Sequence, residues 1–240
     1  MTLRPRRQIR EVITMKTNRL VVLLCLAATL PAVAQNKIDD RISNSTAVLQ
    51  QILARPDAIP KPLLNQAVCV LVFPTVKKVG VGIGVTYGRG VLVCRSGTDM
   101  NGPWGAPAMY KMDVGSLGVQ LGSSSIDYIL LVENKQAAIK VLSGKLKLGA
   151  DATAVAGPTG AKAVGQNDPN GDILTYSRAK GGLFAGTSLA SVSLDTDDDA
   201  NKSVYGKTIS ATEIVQGSVT ATPSGKSLVA VLTKASLKHM

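Results

Sequence analysis

The side chains best suited to acid–base chemistry are scarce in this sequence. Its 240 residues include one histidine, His239, which stands beside the C-terminal residue. A Ser-His-Asp triad, a histidine acid–base pair or a multi-histidine metal site needs histidine within the folded core. Serine–lysine and paired-carboxylate chemistry stay open by composition, but no spacing singles out such a pair. We therefore predict a non-enzymatic protein with no cofactor and no bound metal.

Two motifs come close to known ligand loops and then depart from them. Residues 195–201 resemble the start of a calcium loop, but Ala200 stands where the loop needs glycine. An acidic turn that caps the next helix is the better interpretation. Gly82 and Gly84 begin a G-x-G-x-x-G pattern, but Tyr87 occupies the third glycine position, which argues against a dinucleotide loop.

The N-terminal segment has the layout of a secretory signal peptide. After Met15, two basic residues precede an apolar run at 20–30, which is too short for a bilayer core that needs roughly 20 residues. Small residues follow and predict cleavage between Ala34 and Gln35. Residues 1–34 are therefore the predicted signal peptide, and we expect the protein to be exported by the general secretory route.

Two alternatives remain open within this segment. The arginine-rich stretch 1–14 is either an over-long basic region or a misread start, and we favour the misread start. Cys25 raises the possibility of a lipoprotein, but Leu24 precedes it and the small-residue cleavage site lies downstream. Lipidation is therefore the less favoured interpretation.

Removal of residues 1–34 lowers the positive charge of the chain. The full sequence has 27 basic and 16 acidic residues, and the first 34 hold six basic residues and Glu11. The mature chain thus carries 21 basic and 15 acidic residues, a net charge of +6. This excess suits an anionic surface, but eight aromatic residues offer little for base stacking. We predict no nucleic-acid partner.

The mature chain is predicted to begin with a helix within 35–58. Ile38, Ile42 and Leu49 recur at helical spacing, and Pro56 ends the helix. A second short helix follows before the strands begin.

Residues 79–90 alternate between glycine at nearly every even position and larger residues at the odd ones. This pattern predicts one strand with a bare face, against which another backbone packs closely, with Gly82 and Gly84 at the centre. Asn134 predicts a capped helix to residue 142, with Ile139 and Leu142 facing inward. Further predicted strands are 68–73, which Pro74 ends, 106–114, 115–122, 126–132, 173–177 and 183–194, and glycine-rich pairing is expected at 145–156.

Cys69 and Cys94 remain after processing and stand in strand-like stretches. One disulfide or two buried free thiols are both compatible with this pattern. The elements together predict an α+β fold. Its sheet is mainly antiparallel, glycine-rich and strongly curved or barrel-like, with the N-terminal helices packed on it.

Several motifs, in their order and spacing, resemble the SYLF domain family over residues 59–232. They are Ile59-Pro60, Phe73-Pro74, Gly88-Arg89-Gly90, Arg95, Trp104, Pro107, Gly115, Gly118, Gly122, Gly157-Pro158, Tyr176-Ser177, Gly181, Phe184-Ala185-Gly186, Asn201 and Tyr205-Gly206. The resemblance implies a lipid-binding SYLF-like domain at 59–240. Eukaryotic members bind phosphoinositide membranes, and fungal ones also bind and bundle actin.

The N-terminal helix departs from the eukaryotic pattern, since Lys37 and Arg41 are offset by Asp39 and Asp40. An exported protein would meet neither actin nor, normally, phosphoinositides. We therefore expect a protein of the periplasm or cell envelope that binds phospholipid or an anionic membrane surface. The alternative is a structural or protein-interaction module of the envelope without a lipid ligand, whose protein partner is unknown.

Five basic residues around the glycine-rich segments are the predicted lipid-binding residues. Each lysine or arginine near an anionic leaflet contributes about 1 kcal/mol, so four or five can hold a protein there reversibly. Ordinary solvated charge is the alternative for each of them. They are Lys77, Lys78, Arg89, Lys145 and Lys147.

The first prediction concerns processing. Because Ala32 and Ala34 occupy the small-residue positions that signal peptidase requires, the mature N-terminus should be Gln35. The intact mass of protein recovered from the envelope measures this directly. A lipid-modified Cys25 at the N-terminus would contradict it and make the protein a lipoprotein.

Overall fold

The computed structural model describes residues 30–55, 58–81, 83–116, 121–157, 171–179, 182–185 and 192–236. The side chains of 30–36, 78–85, 114–124 and 182–185 are outside this description. The chain divides into two compact units, residues 1–38 and 39–240. Most of the predicted signal peptide, Cys25 included, therefore lies outside the described residues, whereas Ala34 and Gln35 stand in the first described helix.

Nine strands of the described residues form one sheet. They are β1 (Cys69–Val81), β2 (Ile83–Cys94), β3 (Ala108–Ser116), β4 (Leu121–Val132), β5 (Lys145–Lys147), β6 (Ala154–Ala156), β7 (Ile173–Ala179), β8 (Gly182–Ala185) and β9 (Val192–Thr196). Their order is β5-β9-β3-β2-β1-β4-β7-β6, with β8 also paired to β7. Only the β6–β7 pair among them is parallel. The predicted α+β class with a mainly antiparallel, curved sheet is confirmed as a half-barrel.

The described helices are α1 (Leu30–Leu53), α2 (Lys61–Gln66), α3 (Lys135–Leu142), α4 (Asp198–Tyr205), α5 (Ala211–Glu213), which continues into a π-helical turn (Ile214–Ser218), and α6 (Pro223–Ala235). Side chains cap the N-termini of α3, α5 and α6. The Asn134 side chain accepts from the Ala137 N–H, as predicted for α3, and Ser210 and Glu213 form a capping box. None of the described helices is long and apolar enough to cross a bilayer.

Helices cover the central strands on both faces. Every residue of β1 from Cys69 to Phe73 is at most 1% exposed, so neither face of this stretch reaches solvent. One face joins a large apolar cluster that includes buried residues of α3 and α5. From residue 39 onward α1 lies over the other face, where it buries Ile42, Leu49 and Ile52. The predicted packing of the N-terminal helix on the sheet is thus confirmed.

Pro74 does not end β1, contrary to the prediction, but forms a β-bulge with Thr75. On the β4 side, Phe73 pairs with Tyr128 and Val76 with Ile126, so the two residues between oppose one residue of β4. A bulge leaves one residue out of the ladder, which suits a proline that lacks an N–H. β1 therefore continues for seven residues past the proline.

The glycine-rich segment 79–90 is a hairpin and not the single strand predicted. β1 and β2 pair with Gly80 opposite Gly84. Gly82 lies outside the described residues, and the surroundings of Gly84 are not described. The expected close packing is confirmed at two other glycines of β2. A Cβ at Gly90 would collide with the carbonyl oxygen of Val72 and the ring of Phe73, and one at Gly88 would lie 2.6 Å from a methyl group of Val76.

Three further predictions are corrected. The strand predicted at 115–122 is divided between the end of β3 and the start of β4, because the chain reverses between them. The strand predicted at 183–194 is likewise two strands, β8 and β9, which pair with different neighbours. Ile139 is 55% exposed and so does not face inward, whereas Leu142 is buried.

A disulfide and a side-chain hydrogen bond join distant segments of the core. Cys69 and Cys94 stand directly opposite each other in β1 and β2 and form a disulfide, which decides between the two alternatives. The buried indole of Trp104 donates to Ser236 Oγ at 2.9 Å, and the Arg95 guanidinium lies 4.3 Å from its ring centroid. Trp104 thus anchors the end of α6.

The second prediction tests the packing at the bulge. Gly90→Ala should lower the free energy of unfolding by about 2–3 kcal/mol, since its Cβ meets a backbone carbonyl that cannot rotate away. Gly88→Ala, the matched control, should cost less because it meets only a side-chain methyl group. Urea denaturation of both variants measures the difference. Equal stability of Gly90→Ala and the wild type would show that β1 and β2 are not in close contact here.

Candidate functional site

α1 leaves the outer part of one sheet face uncovered, and two rows of side chains lie there. In the first row Arg89 pairs with Lys111, Lys111 with Asp195, and Asp195 with Lys145. Directly paired residues of neighbouring strands share one face of a sheet, so these four side chains lie side by side.

The second row is one step further from α1 and runs across five strands. Lys77 pairs with Tyr87, Tyr87 with Asp113, Asp113 with Ser193, and Ser193 with Lys147. At about 4.8 Å between strands, this row spans roughly 19 Å. We call the two rows together the shelf.

The shelf is charged and open to solvent. Lys77, Arg89, Lys145 and Lys147 are exposed, and Tyr87 is 46% exposed, one of two large hydrophobic residues exposed within the described part of the chain. With Lys111, the shelf has five cations against the carboxylates of two aspartates, a net charge of +3. Basic residues that lie far apart in the sequence thus form one surface.

The register brings together four of the five predicted basic residues and not the fifth. Lys78 pairs with Thr86 and Ser124, outside both rows, and its side chain is not described. Sequence reasoning also missed Lys111, which no glycine-rich segment flanks. In the strand predicted at 106–114, Lys111 stands between the apolar residues Tyr110 and Met112. This alternation could have identified Lys111 as a residue of the outer face.

The opposite side of the same strands explains why the shelf faces outward. Tyr110, Met112, Leu146 and Leu194 alternate with the shelf residues and are at most 2% exposed in the main apolar cluster. Burying these side chains fixes the register, because a slip of one residue would move every charge of the strand into the core.

A buried ion pair ties α1 to the edge of the shelf. Arg41 Nη1 lies 2.9 Å from Asp197 Oδ2, and both side chains are less than 10% exposed. Burial lowers the pKa of the Arg41 guanidinium, while Asp197 acts in the opposite direction. Asp197 was predicted to belong to an exposed acidic turn that caps the next helix. It does stand at the first position before α4, but it is buried and makes no side-chain cap there.

At its far end α1 is joined to the sheet by a second polar network, beside the bulge. Asp127 Oδ1 accepts from the Thr75 N–H at 2.8 Å, and its Oδ2 accepts from Arg178 Nε at 2.9 Å. Arg178 Nη1 also donates to Gln51 of α1. These residues line a cleft of about 730 Å³ between α1 and the sheet. Sequence reasoning did not predict this cleft.

One carboxyl oxygen of a partly buried glutamate is inaccessible and has no hydrogen-bond partner among the described residues. Glu133 Oε1 and Tyr176 OH are both inaccessible and unpaired there. Burial raises the pKa of Glu133 to about 7. Burial also raises the pKa of Tyr176, and the nearby negative charge of Glu133 adds to that effect.

Comparison with known proteins agrees with the resemblance drawn from the sequence. A family model described as "Ysc84: Las17-binding protein actin regulator" matches residues 113–235. An SH3 domain-containing protein of Schizosaccharomyces pombe is 33% identical over 189 residues, which cover 76% of this chain and 43% of that protein. The chain belongs to the Ysc84 (SYLF) family.

The Ysc84 (SYLF) family is a family of binding modules, and it is not known to be enzymatic. The matched region begins within β3 at Asp113, so it contains Lys145 and Lys147 of the shelf. It does not contain Lys77, Arg89 or Lys111, nor the disulfide and the bulge. The chain spans less than half the length of its fission yeast relative.

The third prediction uses the partly buried carboxyl group of Glu133. In the folded state the pKa of Glu133 is raised from 4.5 to about 7, so the folded protein holds this proton more tightly than the unfolded chain does. The contribution of the bound proton to the free energy of unfolding is fully present below about pH 4.5 and is lost as the pH rises through 7. The loss is roughly 3 kcal/mol. Glu133→Gln should therefore stabilise the protein at about pH 8 and have much less effect at about pH 5.

Urea denaturation of wild type and Glu133→Gln at the two pH values measures this difference. The variant keeps a polar group of nearly the same shape, so a change in packing would act equally at both. A stability difference independent of pH would therefore contradict the raised pKa.

Proposed function

We propose that this protein binds anionic phospholipid surfaces of the cell envelope, and that the shelf is its contact surface. The observation that carries the proposal is the register of the sheet. It gathers Lys77, Arg89, Lys111, Lys145 and Lys147 from four separate parts of the sequence onto one open face.

Charge density supports a reversible contact. Lysine and arginine each contribute about 1 kcal/mol near an anionic leaflet, and the five cations lie within roughly 20 Å of one another. Asp113 and Asp195 stand between them and offset part of this attraction. The binding is therefore expected to be weak for a single molecule and strongly dependent on salt.

Tyr87 adds an amphipathic element at the centre of the shelf. It stands between Lys77 and Asp113, and nearly half of its surface is exposed. Tyrosine is enriched at membrane–water interfaces, where the ring lies at headgroup level and the hydroxyl stays hydrated.

The envelope location rests on the signal-peptide pattern and on the division of the chain. Cleavage before Gln35 would leave the compact unit 39–240 complete. The net charge of +6 after cleavage suits the same surface.

A protein partner without lipid is the second candidate. The description of the family names binding to a protein, Las17, and the fission yeast relative is named for an SH3 domain. A polar sheet face with both signs of charge can also accept a protein of complementary charge. Vesicle binding separates the two candidates.

The fourth prediction is a flotation experiment. Mature protein should float with vesicles that contain anionic phospholipid and much less with neutral ones, and raising the salt from about 0.05 to about 0.5 M should release it. Lys77→Glu with Lys147→Glu should weaken binding at least tenfold, because both lysines lie in the outer row.

The control carries the same change of charge elsewhere. Lys135→Glu with Lys226→Glu alters two exposed lysines in the first turns of α3 and α6, where a carboxylate suits the helix dipole. This variant should bind nearly as well as wild type. Equal loss in both variants would mean that net charge and not the shelf decides binding. Failure of folded wild type to bind any vesicle would favour the protein partner.

A further inference from the structure

The cleft beside the bulge is polar on both walls. Asn44 and Gln51 line it from α1, and Ser125, Asp127 and Arg178 from the sheet. Its volume of about 730 Å³ is enough for a small polar group. An acyl chain does not suit this lining, because burying side-chain amides and charges against hydrocarbon leaves them without partners.

Backbone strain lies in the wall of the cleft. Thr75 has a φ of 54°, a value that β-branched residues rarely adopt. Its N–H donates to Asp127 Oδ1. The bulge that requires this conformation is in β1, which lies between β2 and β4. Strained residues and bulges concentrate at binding sites, where the surrounding structure holds them in place.

The donors and acceptors in the cleft define what it can hold. Arg178 uses three of its N–H groups on Asp127 and Gln51, and a guanidinium has five. Asp127 accepts three hydrogen bonds already, so its negative charge is largely compensated and an ammonium group would find little attraction. The amides of Asn44 and Gln51 and the hydroxyl of Ser125 both donate and accept, which suits alcohol groups.

The cleft also opens beside the shelf. Lys77 of the outer row pairs with Ser125, which lines the cleft. Arg89 and Asp127 lie opposite the bulge on its two sides. A headgroup whose phosphate enters the cleft can thus belong to a lipid of a membrane that contacts the shelf.

We propose that this cleft binds a phosphoglycerol group, with the phosphate at Arg178 and the glycerol hydroxyls at Asn44, Gln51 and Ser125. The inference rests on the proposed membrane binding and names its lipid. The same group occurs as the headgroup of phosphatidylglycerol and as free glycerol phosphate, and the experiment distinguishes these two sources.

The test compares two lipids of equal charge. Vesicles with phosphatidylglycerol or with phosphatidylmethanol carry the same anionic phosphodiester, but only the first offers hydroxyl groups. Wild-type protein should bind the phosphatidylglycerol vesicles about tenfold more tightly at equal anionic content. Ala47→Gln, which extends a side chain from α1 into the cleft, should lose this preference and keep its charge-dependent binding.

Two further variants guard against misfolding. Ala230→Gln makes the same substitution at an exposed position of α6 and should keep the full preference. Asn44→Ala favours the helix and removes one amide from the cleft, so it should reduce the preference without loss of stability.

The outcomes separate the two proposals. Equal binding of wild type to both vesicles, with no shift in melting temperature on adding free glycerol phosphate, overturns the cleft proposal and leaves the shelf proposal standing. A thermal shift with free glycerol phosphate that Ala47→Gln abolishes, without any vesicle preference, assigns the cleft to the soluble ester. A vesicle preference that survives in Ala47→Gln also overturns it.

Discussion

The β-bulge at Pro74 and Thr75 decides which face of the sheet carries the charges. Before the bulge the odd-numbered residues of β1, such as Leu71 and Phe73, face the main apolar cluster, and after it Val76 does. One extra residue therefore exchanges the two faces of the strand. Without it Lys77 would point into the core, and the outer row of the shelf would lose its cation on β1. Glycine at 88 and 90 lets β2 follow the bulge at close distance.

α1 sets the limit of the exposed surface through polar contacts at two places. Arg41 reaches Asp197 beyond β9, and Gln51 reaches Arg178 on β7, so the helix crosses the sheet between these points. A buried ion pair adds little net stability relative to an apolar pair, but removing one partner strands the other charge in the interior. These contacts therefore act mainly by fixing where α1 lies, and hence where the covered part of the sheet ends and the shelf begins.

Local signals predicted the local elements, whereas the long-range pairings were beyond the sequence. The cap at Asn134 depends on residues three positions apart and was found. The hairpin at 79–90 was missed because glycine alternation with period two is symmetric about residue 82, so a strand and its return show the same pattern. The basic residues were identified singly, but only the register unites Lys77 with Lys147. The cleft joins Gln51 and Arg178, which are 127 positions apart, and no local pattern reports such a contact.

The shelf and the cleft have different physical roles that follow from their charges. Five cations and two carboxylates on an open face attract any anionic surface, and such attraction is screened by salt and indifferent to headgroup structure. Selection needs donors and acceptors at fixed positions, and the amides of Asn44 and Gln51 and the hydroxyl of Ser125 provide them in the cleft. The bulge contributes to both the shelf and the cleft. It turns Lys77 outward onto the shelf, and the same distortion brings the Thr75 N–H to Asp127 and orients Arg178 at the cleft.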